Sequence, residues 1–132
     1  DLEPTADLDE LQRRARELRR HIMTKPAGVR HPERTHRAER EEFKRDPAVV
    51  AFVLDEADGV CELCSKPGPF KGIDGGDFLV VHHLKWLKEG GSDTTENAVA
   101  VCPNCHALLH YGAEKEEARK RLLTTVGRLV RE

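Results

Sequence analysis

Two Cys-x-x-Cys pairs constrain the fold of this chain more than any other feature. They hold all four cysteines of the sequence, stand about 40 residues apart and leave no odd thiol. This spacing is typical of a structural zinc site, in which two short turns donate four thiolates to one ion. Disulfides or redox thiols fit less well, because the acidic N-terminal sequence has no features of a secretion signal. We therefore predict that Cys61, Cys64, Cys102 and Cys105 bind a structural Zn²⁺ in a reducing compartment, as in a cytoplasmic protein.

The size and composition of the chain favour a metal-stabilised domain. With 132 residues, of which 38% are hydrophobic and 5% aromatic, the chain can form one modest core. Small cores of this kind usually need an additional cross-link, and a bound metal is a common one. The sequence has no apolar run that approaches the roughly 20 residues of a membrane span, so we predict no membrane-spanning helix.

Charge is unevenly distributed along the chain, although the net charge is only −2. Residues 11–45 contain twelve basic and five acidic residues, whereas residues 46–132 contain ten and fourteen. This asymmetry is expected where one surface binds a phosphate backbone, but a solvated helix rich in Arg and Glu has the same composition. We accordingly divide the chain into a basic N-terminal helix and linker, 1–45, and a second domain, 46–132. The candidate contacts to a phosphate backbone are Arg37, Arg40, Lys44, Arg45, Lys85 and Lys88.

The N-terminal segment has the periodicity of one amphipathic helix. Asp7 followed by Glu10 fits a capping box at its start, and apolar residues at 3–4 spacing then form a narrow stripe. The stripe could pack on the domain, pair with the same helix of a second copy, or contact an upstream domain. Its members are Leu8, Leu11, Ala15, Leu18 and Ile22.

The second domain has the pattern of a helix, two strands and two further helices. Asp46-Pro47 fits a helix start, and Gly59 fits the end of that helix. Gly90-Gly91 marks a turn between two β-rich segments. We predict helices over about 47–58, 103–111 and 114–130, and strands over about 78–84 and 97–101.

Histidines are concentrated in the first predicted strand and in the helix that follows the second cysteine pair. His106 and His110 are four residues apart, so a helix places both on one face, where they can bind one metal ion. His82 and His83 lie in the strand, and Asn97 begins the next strand. A lone His-His pair usually has a packing or surface role, but here a second histidine pair accompanies it. If the four cysteines saturate one zinc ion, the histidines are free to bind a second metal.

These motifs resemble the HNH nucleases of the ββα-metal fold, which combine a His-His pair, an Asn and a His-x-x-x-His pair in a strand–strand–helix frame. The wider stretch 45–111 is similar to McrA-like modification-dependent restriction endonucleases. The resemblance implies an α+β fold with a ββα-metal (HNH) core, a structural zinc site of four cysteines and flanking helices. The segments that carry it are Cys61-Glu-Leu-Cys64, Val81-His-His-Leu84, Gly90-Gly91 and Cys102-Pro-Asn-Cys-His106.

The resemblance also implies a role for each polar residue. His82, His106 and His110 would bind a catalytic divalent cation, which could be Mg²⁺, Mn²⁺, Ni²⁺, Co²⁺ or Zn²⁺. The softer ions are included because His82 stands where many relatives have Asp, which gives an all-imidazole ligand set. His83 would be the general base that deprotonates the attacking water. Asn97 would hold the loop and orient His83, or bind the metal itself.

One geometric condition applies to the adjacent histidines. Neighbouring residues of a regular strand point to opposite faces of the sheet. His82 and His83 can therefore serve one site only if the phosphate lies between them, or if the strand bends or ends there.

The function implied by the resemblance is hydrolysis of phosphodiester bonds in double-stranded DNA. The chain would be the nuclease module of a modification-dependent restriction enzyme, with base recognition in another domain outside these residues. A homodimer is one possible assembly, because cutting both strands with one site per domain usually takes two copies. Two alternatives remain open: a non-catalytic zinc-stapled module that binds DNA or protein, and a secreted nuclease toxin of the colicin type.

Overall fold

A computed structural model describes residues 3–21, 24–35 and 42–132 of the chain. It divides the chain into two compact units, Asp1–Arg40 and Glu41–Glu132. Among the described residues, no helix is both long enough and apolar enough to cross a membrane. The domain boundary placed after residue 45 by the charge pattern stays a prediction.

Within its described residues, the first unit has one helix, α1 (Leu8–Leu18). The Asp7 side chain caps this helix by accepting two backbone N–H groups of the first turn, at 3.0 and 3.1 Å. The Glu10 carboxylate binds the guanidinium groups of Arg13 and Arg14, and these hydrogen bonds lower the pKa of Glu10 to about 2. The capping residue was thus predicted correctly, whereas Glu10 pairs with arginines of the next turn.

The apolar stripe of α1 is not buried. Leu8 is 65% exposed and Leu11 is 44% exposed, and no residue of the helix is buried. The helix is also shorter than predicted, since it ends at Leu18, and Ile22 lies outside the described residues.

The second unit is built on an antiparallel hairpin. β1 (Val80–His83) pairs with β2 (Ala98–Val101), with Val81 opposite Ala100. Both strands lie within the predicted segments, and every residue of β2 is buried. Because successive side chains point to opposite faces, the hairpin presents two sides to be covered.

Helix α2 (Pro47–Ala57) covers one side of the hairpin. Its N-terminus is capped by Asp46, whose Oδ1 accepts from the N–H of Ala48 at 2.9 Å, and a proline occupies the first position. The helix ends at Ala57, and the next residue, Asp58, caps it in a left-handed conformation with φ 49°. The buried face of α2 packs on two alanines of β2, whose small side chains let the helix approach closely. The residues in this layer are Val49, Val53, Ala57, Ala98 and Ala100.

Helices α3 (Pro103–Tyr111) and α4 (Lys115–Thr125) follow β2, and their apolar residues belong to the core of the other side. α3 coincides with the predicted helix. α4 ends five residues earlier than predicted, where Thr124 and Thr125 each donate a hydroxyl hydrogen bond to the carbonyl four residues before it. The core on this side contains Cys61, Leu63, Leu84, Val99, Val101, Cys102, Leu109, Ala118, Leu122 and Leu129.

The segment after α4 folds back to the outer edge of β2. The guanidinium of Arg128 donates to both oxygens of Glu62, at 2.7 and 2.9 Å, and to the carbonyl of Ala98 at 2.9 Å. Glu62 binds the same edge, because its N–H donates to the Ala100 carbonyl and its carboxylate accepts from the Ala100 N–H, both at 2.9 Å. The first cysteine turn and the C-terminal segment are thereby joined to the sheet.

Candidate active site

The four cysteines converge, and their Sγ atoms all lie within 4.8 Å of one another. One pair comes from the turn after α2, and the other lies at the junction of β2 and α3. A tetrahedral Zn²⁺ with Zn–S bonds of about 2.3 Å places its sulfurs about 3.8 Å apart, and the Sγ atoms of Cys64 and Cys102 are 4.0 Å apart. All four cysteines are described, and none forms a disulfide. The tetrad is therefore positioned to bind a metal, and its sulfur donors fit zinc.

Backbone amides support these sulfurs. The N–H of Cys64 points to Cys61 Sγ at 3.4 Å, and the N–H of Cys105 points to Cys102 Sγ at 3.5 Å. Burial acts to raise the pKa of Cys61, but backbone N–H donors more than offset it, and the pKa is lowered to about 7. Burial raises the pKa of Cys105. Cys61 is thus readily deprotonated to the thiolate that binds metal.

Three imidazoles form a second cluster, separate from the cysteines. His82 of β1 and His106 and His110 of α3 each bring a ring nitrogen within 4.8 Å of the other two. The Nε2 atoms of His106 and His110 are 3.1 Å apart, which suits adjacent ligands bound to one ion at about 2.0–2.1 Å. The His82 ring lies edge-on to both, with centroids 5.4 and 4.9 Å away. This triad fits a divalent cation that prefers nitrogen ligands.

Burial keeps the triad in its neutral form. His82 is 5% exposed, and burial, together with repulsion from the neighbouring histidines, lowers its pKa to about 3. Burial also lowers the pKa values of His106 and His110. Because a neutral imidazole is the form that binds metal, the cluster is ready to bind an ion near neutral pH.

His83, the last residue of β1, has a different partner. Its Nε2 lies 2.8 Å from Oδ1 of Asp93, and the residue is 7% exposed. Since β1 ends here, His82 and His83 both line one pocket of about 180 Å³. The geometry therefore meets the condition under which adjacent histidines can serve one site. The other lining residues are Arg45, Val81, Trp86, Leu87, His106 and His110.

Asp93 is a residue that the sequence analysis missed. Its second oxygen accepts from the backbone N–H of Asp46, the capping residue of α2, at 2.7 Å. This N–H and, to a lesser extent, His83 lower the pKa of Asp93, so the carboxylate stays ionised. Asp93 follows His83 by ten positions in a loop, and this spacing is not diagnostic of a pair. The only sequence signal was its position between His83 and Asn97.

Asn97 holds the loop that connects the two strands. It is 2% exposed, and its Oδ1 accepts from the N–H of Lys85 at 2.9 Å. Its Nδ2 donates to the carbonyls of Lys85 and Ser92, at 3.0 and 2.7 Å. Gly91 is required in this loop, because a Cβ there would lie 1.9 Å from the Lys85 carbonyl oxygen. Asn97 thus holds the loop through its side-chain amide, and its role toward His83 or the metal stays a prediction.

The predicted phosphate contacts are distributed around this pocket or fall outside the described residues. Arg45 lines the pocket of the histidines. The ammonium of Lys88 lies 4.8 Å from the ring centroid of Trp86, another lining residue. The remaining candidates are Lys44, which is exposed, Lys85, which is half-buried, and Arg37 and Arg40, which lie outside the described residues.

Two further cations near the triad were not predicted. Lys115 and Arg119 of α4 line a second pocket of about 170 Å³, which His82 also lines. Glu89 and Glu116 line the same pocket, so its charge is mixed. Lys115 and Arg119 were not predicted as DNA contacts, because they lie in the segment 46–132, whose net charge is negative.

Comparisons with known proteins converge on the same residues. Residues 61–112 match the family model described as HNH endonuclease. The chain is 40% identical, over 127 residues, to the type IV methyl-directed restriction enzyme EcoKMcrA of Escherichia coli (strain K12), and the match covers 96% of this chain and 46% of that enzyme. This chain therefore spans about half the length of that relative.

A solved structure gives a consistent result. The type IV phosphorothioation-dependent restriction endonuclease ScoMcrA matches with 37% identity and a TM-score of 0.58, over 64% of this chain and 17% of that one. The family match encloses both cysteine pairs, both histidine pairs and Asn97. Residues 61–112 are therefore an HNH endonuclease domain, in a chain similar to McrA-type restriction enzymes.

Proposed function

We propose that this chain is the nuclease module of a modification-dependent restriction enzyme and hydrolyses phosphodiester bonds of double-stranded DNA. The observation that carries the proposal is a single pocket lined by the triad of His82, His106 and His110 and by His83. A purely structural metal site has no need of a carboxylate-paired imidazole beside it. Phosphodiester hydrolysis needs a bound metal ion and a basic imidazole. The ion stabilises charge on the phosphate, and the imidazole takes a proton from the water molecule.

The residues of the pocket divide this work. His82, His106 and His110 would hold a divalent cation, which would supply Lewis-acid stabilisation of charge on the phosphate and on the leaving oxygen. His83 accepts the proton of the attacking water. Arg45 binds a phosphate oxygen through a charge-assisted hydrogen bond. Asn97 fixes the end of β1, because its carbonyl accepts from the N–H of Leu84 at 2.9 Å next to His83.

The whole enzyme requires more than this chain. The similar proteins are named methyl-directed and phosphorothioation-dependent, which supports dependence on modified DNA. The match covers 46% of EcoKMcrA, so we infer that base recognition lies in an additional domain, while this module binds the DNA backbone. We further propose that two copies act together on the two strands, and that the protein works in the cytoplasm.

The two metal sites give the first test. We propose that the cysteine tetrad binds structural Zn²⁺, whereas the triad binds an exchangeable Mg²⁺, Mn²⁺, Ni²⁺, Co²⁺ or Zn²⁺. A double variant, His106→Ala with His110→Ala, removes two of the three nitrogen ligands of the triad. We expect it to retain the tetrad zinc, to lose the exchangeable ion and to stop nicking supercoiled plasmid. Metal analysis before and after mild chelation, with plasmid assays in Mn²⁺ and Mg²⁺, checks this.

A matched control and the alternative function complete this experiment. The variant His21→Ala with His31→Ala also removes two histidines, but both are exposed in the first unit, so it should keep both metals. A non-catalytic zinc module would instead bind a single metal and nick DNA with none of these ions. Nicking by the triad variant at the wild-type rate would contradict the proposed site.

The second pocket gives a prediction about DNA affinity. If Lys115 and Arg119 each neutralise one phosphate, replacing both with Ala should weaken binding equally for all sequences. The slope of log K against log salt should become shallower by about 0.9 per contact, as measured by fluorescence anisotropy at several salt concentrations. The control Lys66→Ala with Lys120→Ala removes the same charge from residues outside this pocket and the pocket of the histidines. An equal change of slope in both double variants would refute the specific contacts.

A further inference from the structure

The contact between His83 and Asp93 joins a nearly buried imidazole to a carboxylate at the proposed catalytic centre. The distance from Nε2 to Oδ1 is 2.8 Å, and the two side chains are 7% and 20% exposed. This distance is that of a charge-assisted hydrogen bond. Neither the HNH motif residues nor the predicted DNA contacts include Asp93.

The contact selects one tautomer of the ring. An ionised carboxylate can only accept hydrogen bonds, so Nε2 of His83 must carry the proton. In a neutral imidazole the other nitrogen, Nδ1, is then the acceptor. A general base needs such an unprotonated nitrogen for the water that it activates.

Asp93 is itself held in place on several sides. Its Oδ2 accepts from the Asp46 N–H at 2.7 Å, at the start of α2. The preceding residue, Ser92, donates its N–H to the Glu132 carboxylate at 2.8 Å, and its carbonyl accepts from Asn97 at 2.7 Å. A carboxylate fixed in this way can fix the orientation of the ring that it binds.

We propose that Asp93 is a positioning residue that holds His83 as the Nε2–H tautomer and leaves Nδ1 to accept the proton of the attacking water. This inference rests on the proposed function, in which His83 is the base. It goes beyond that function by giving His83 a carboxylate partner, in the arrangement of nucleophile-activating His–Asp pairs. The competing interpretation is that Asp93 only ties the loop to α2.

The substitution Asp93→Asn separates the two interpretations. The amide oxygen can still accept from Asp46, so the link to α2 is preserved. The amide nitrogen then faces His83 and donates to Nε2, which forces the proton onto Nδ1. The corresponding change in a Ser-His-Asp triad lowers kcat about 10⁴-fold because the wrong tautomer results.

Two measurements test the proposal. The first is the ¹⁵N chemical shifts of His83 in the Zn²⁺-loaded full chain, assigned with His83→Gln. They should report Nε2–H in the wild type and Nδ1–H in Asp93→Asn. The second is single-turnover plasmid nicking, which should fall by at least about 100-fold in Asp93→Asn, while the Kd for DNA stays within about twofold. Asp55→Asn, an exposed change on α2, is the charge-matched control and should nick normally.

Each outcome decides the matter. An Nδ1–H tautomer of His83 in the wild type overturns the proposal, and this measurement does not require Asp93→Asn to fold. Nicking by Asp93→Asn within about threefold of wild type also overturns it. If the wild type itself nicks no DNA, or if His83→Gln nicks normally, the failure belongs to the proposed function, and the tautomer measurement still decides the Asp93 contact.

Discussion

Replacing His83 with Ala should reduce the rate of phosphodiester cleavage by about 10²–10⁴-fold, the usual contribution of general base catalysis. The ring is 7% exposed, lines the pocket of the triad, and hydrogen-bonds to Asp93 rather than to the other histidines. Its loss would remove the proposed proton acceptor but would leave the three imidazoles of the proposed metal site in place. The effect should therefore appear in the single-turnover rate of plasmid nicking, and not in the amount of metal bound.

The control for this variant is its affinity for DNA. The expected phosphate contacts are cations such as Arg45, which the substitution does not touch, so the Kd measured without metal should stay within about twofold of wild type. Metal content should also be unchanged, because His83 is not in the imidazole cluster. Undiminished nicking by His83→Ala would exclude His83 as the base, and loss of DNA binding would point to a structural role.

The substitution Cys61→Ser should abolish the folded state of the second unit. Structural zinc in small domains contributes about 10–16 kcal/mol of apparent binding free energy, which is comparable to the entire stability of a domain, about 5–15 kcal/mol. Cys61 is 1% exposed and belongs to the same core cluster as β2 and α4. We expect loss of bound zinc and of the cooperative thermal transition, measured by metal analysis and circular dichroism.

Leu122→Ala is the reference variant with which the loss of stability in Cys61→Ser is compared. Leu122 is fully buried in the same cluster but has no metal-binding atom. Its truncation should lower the free energy of unfolding by about 2–5 kcal/mol and leave the zinc content unchanged. If Cys61→Ser unfolds cooperatively with a loss no larger than that of Leu122→Ala, the tetrad does not provide the main stabilisation.

Much of the fold followed from local sequence signals. The bounds of α3 were predicted correctly, because Pro103 at its first position, directly after Cys102, defines its start, while Gly112 follows its last residue. α2 was predicted for a similar reason. The end of α4 was missed, since Leu129 continues the apolar periodicity of the helix although it belongs to a segment that folds back to the sheet.

The site was predictable where its residues have a fixed spacing. His106 and His110 share a helix face whatever the tertiary structure is, and their position beside a cysteine pair indicated a metal. The partner of His83 has no such rule, because Asp93 reaches it only when a loop is folded by Asn97. Lys115 and Arg119 were missed for another reason, since net charge over a long segment hides two cations that the fold brings beside His82.

The outer edge of β2 is protected in part against pairing with a further strand. An open strand edge is a template on which another chain can add a strand. Here Glu62 already pairs with the N–H and the carbonyl of Ala100, and Arg128 donates to the carbonyl of Ala98. An added strand would find the carbonyl of Ala98 and both backbone groups of Ala100 already hydrogen-bonded. Pairing of a further strand with this part of β2 would first have to displace Glu62 and Arg128.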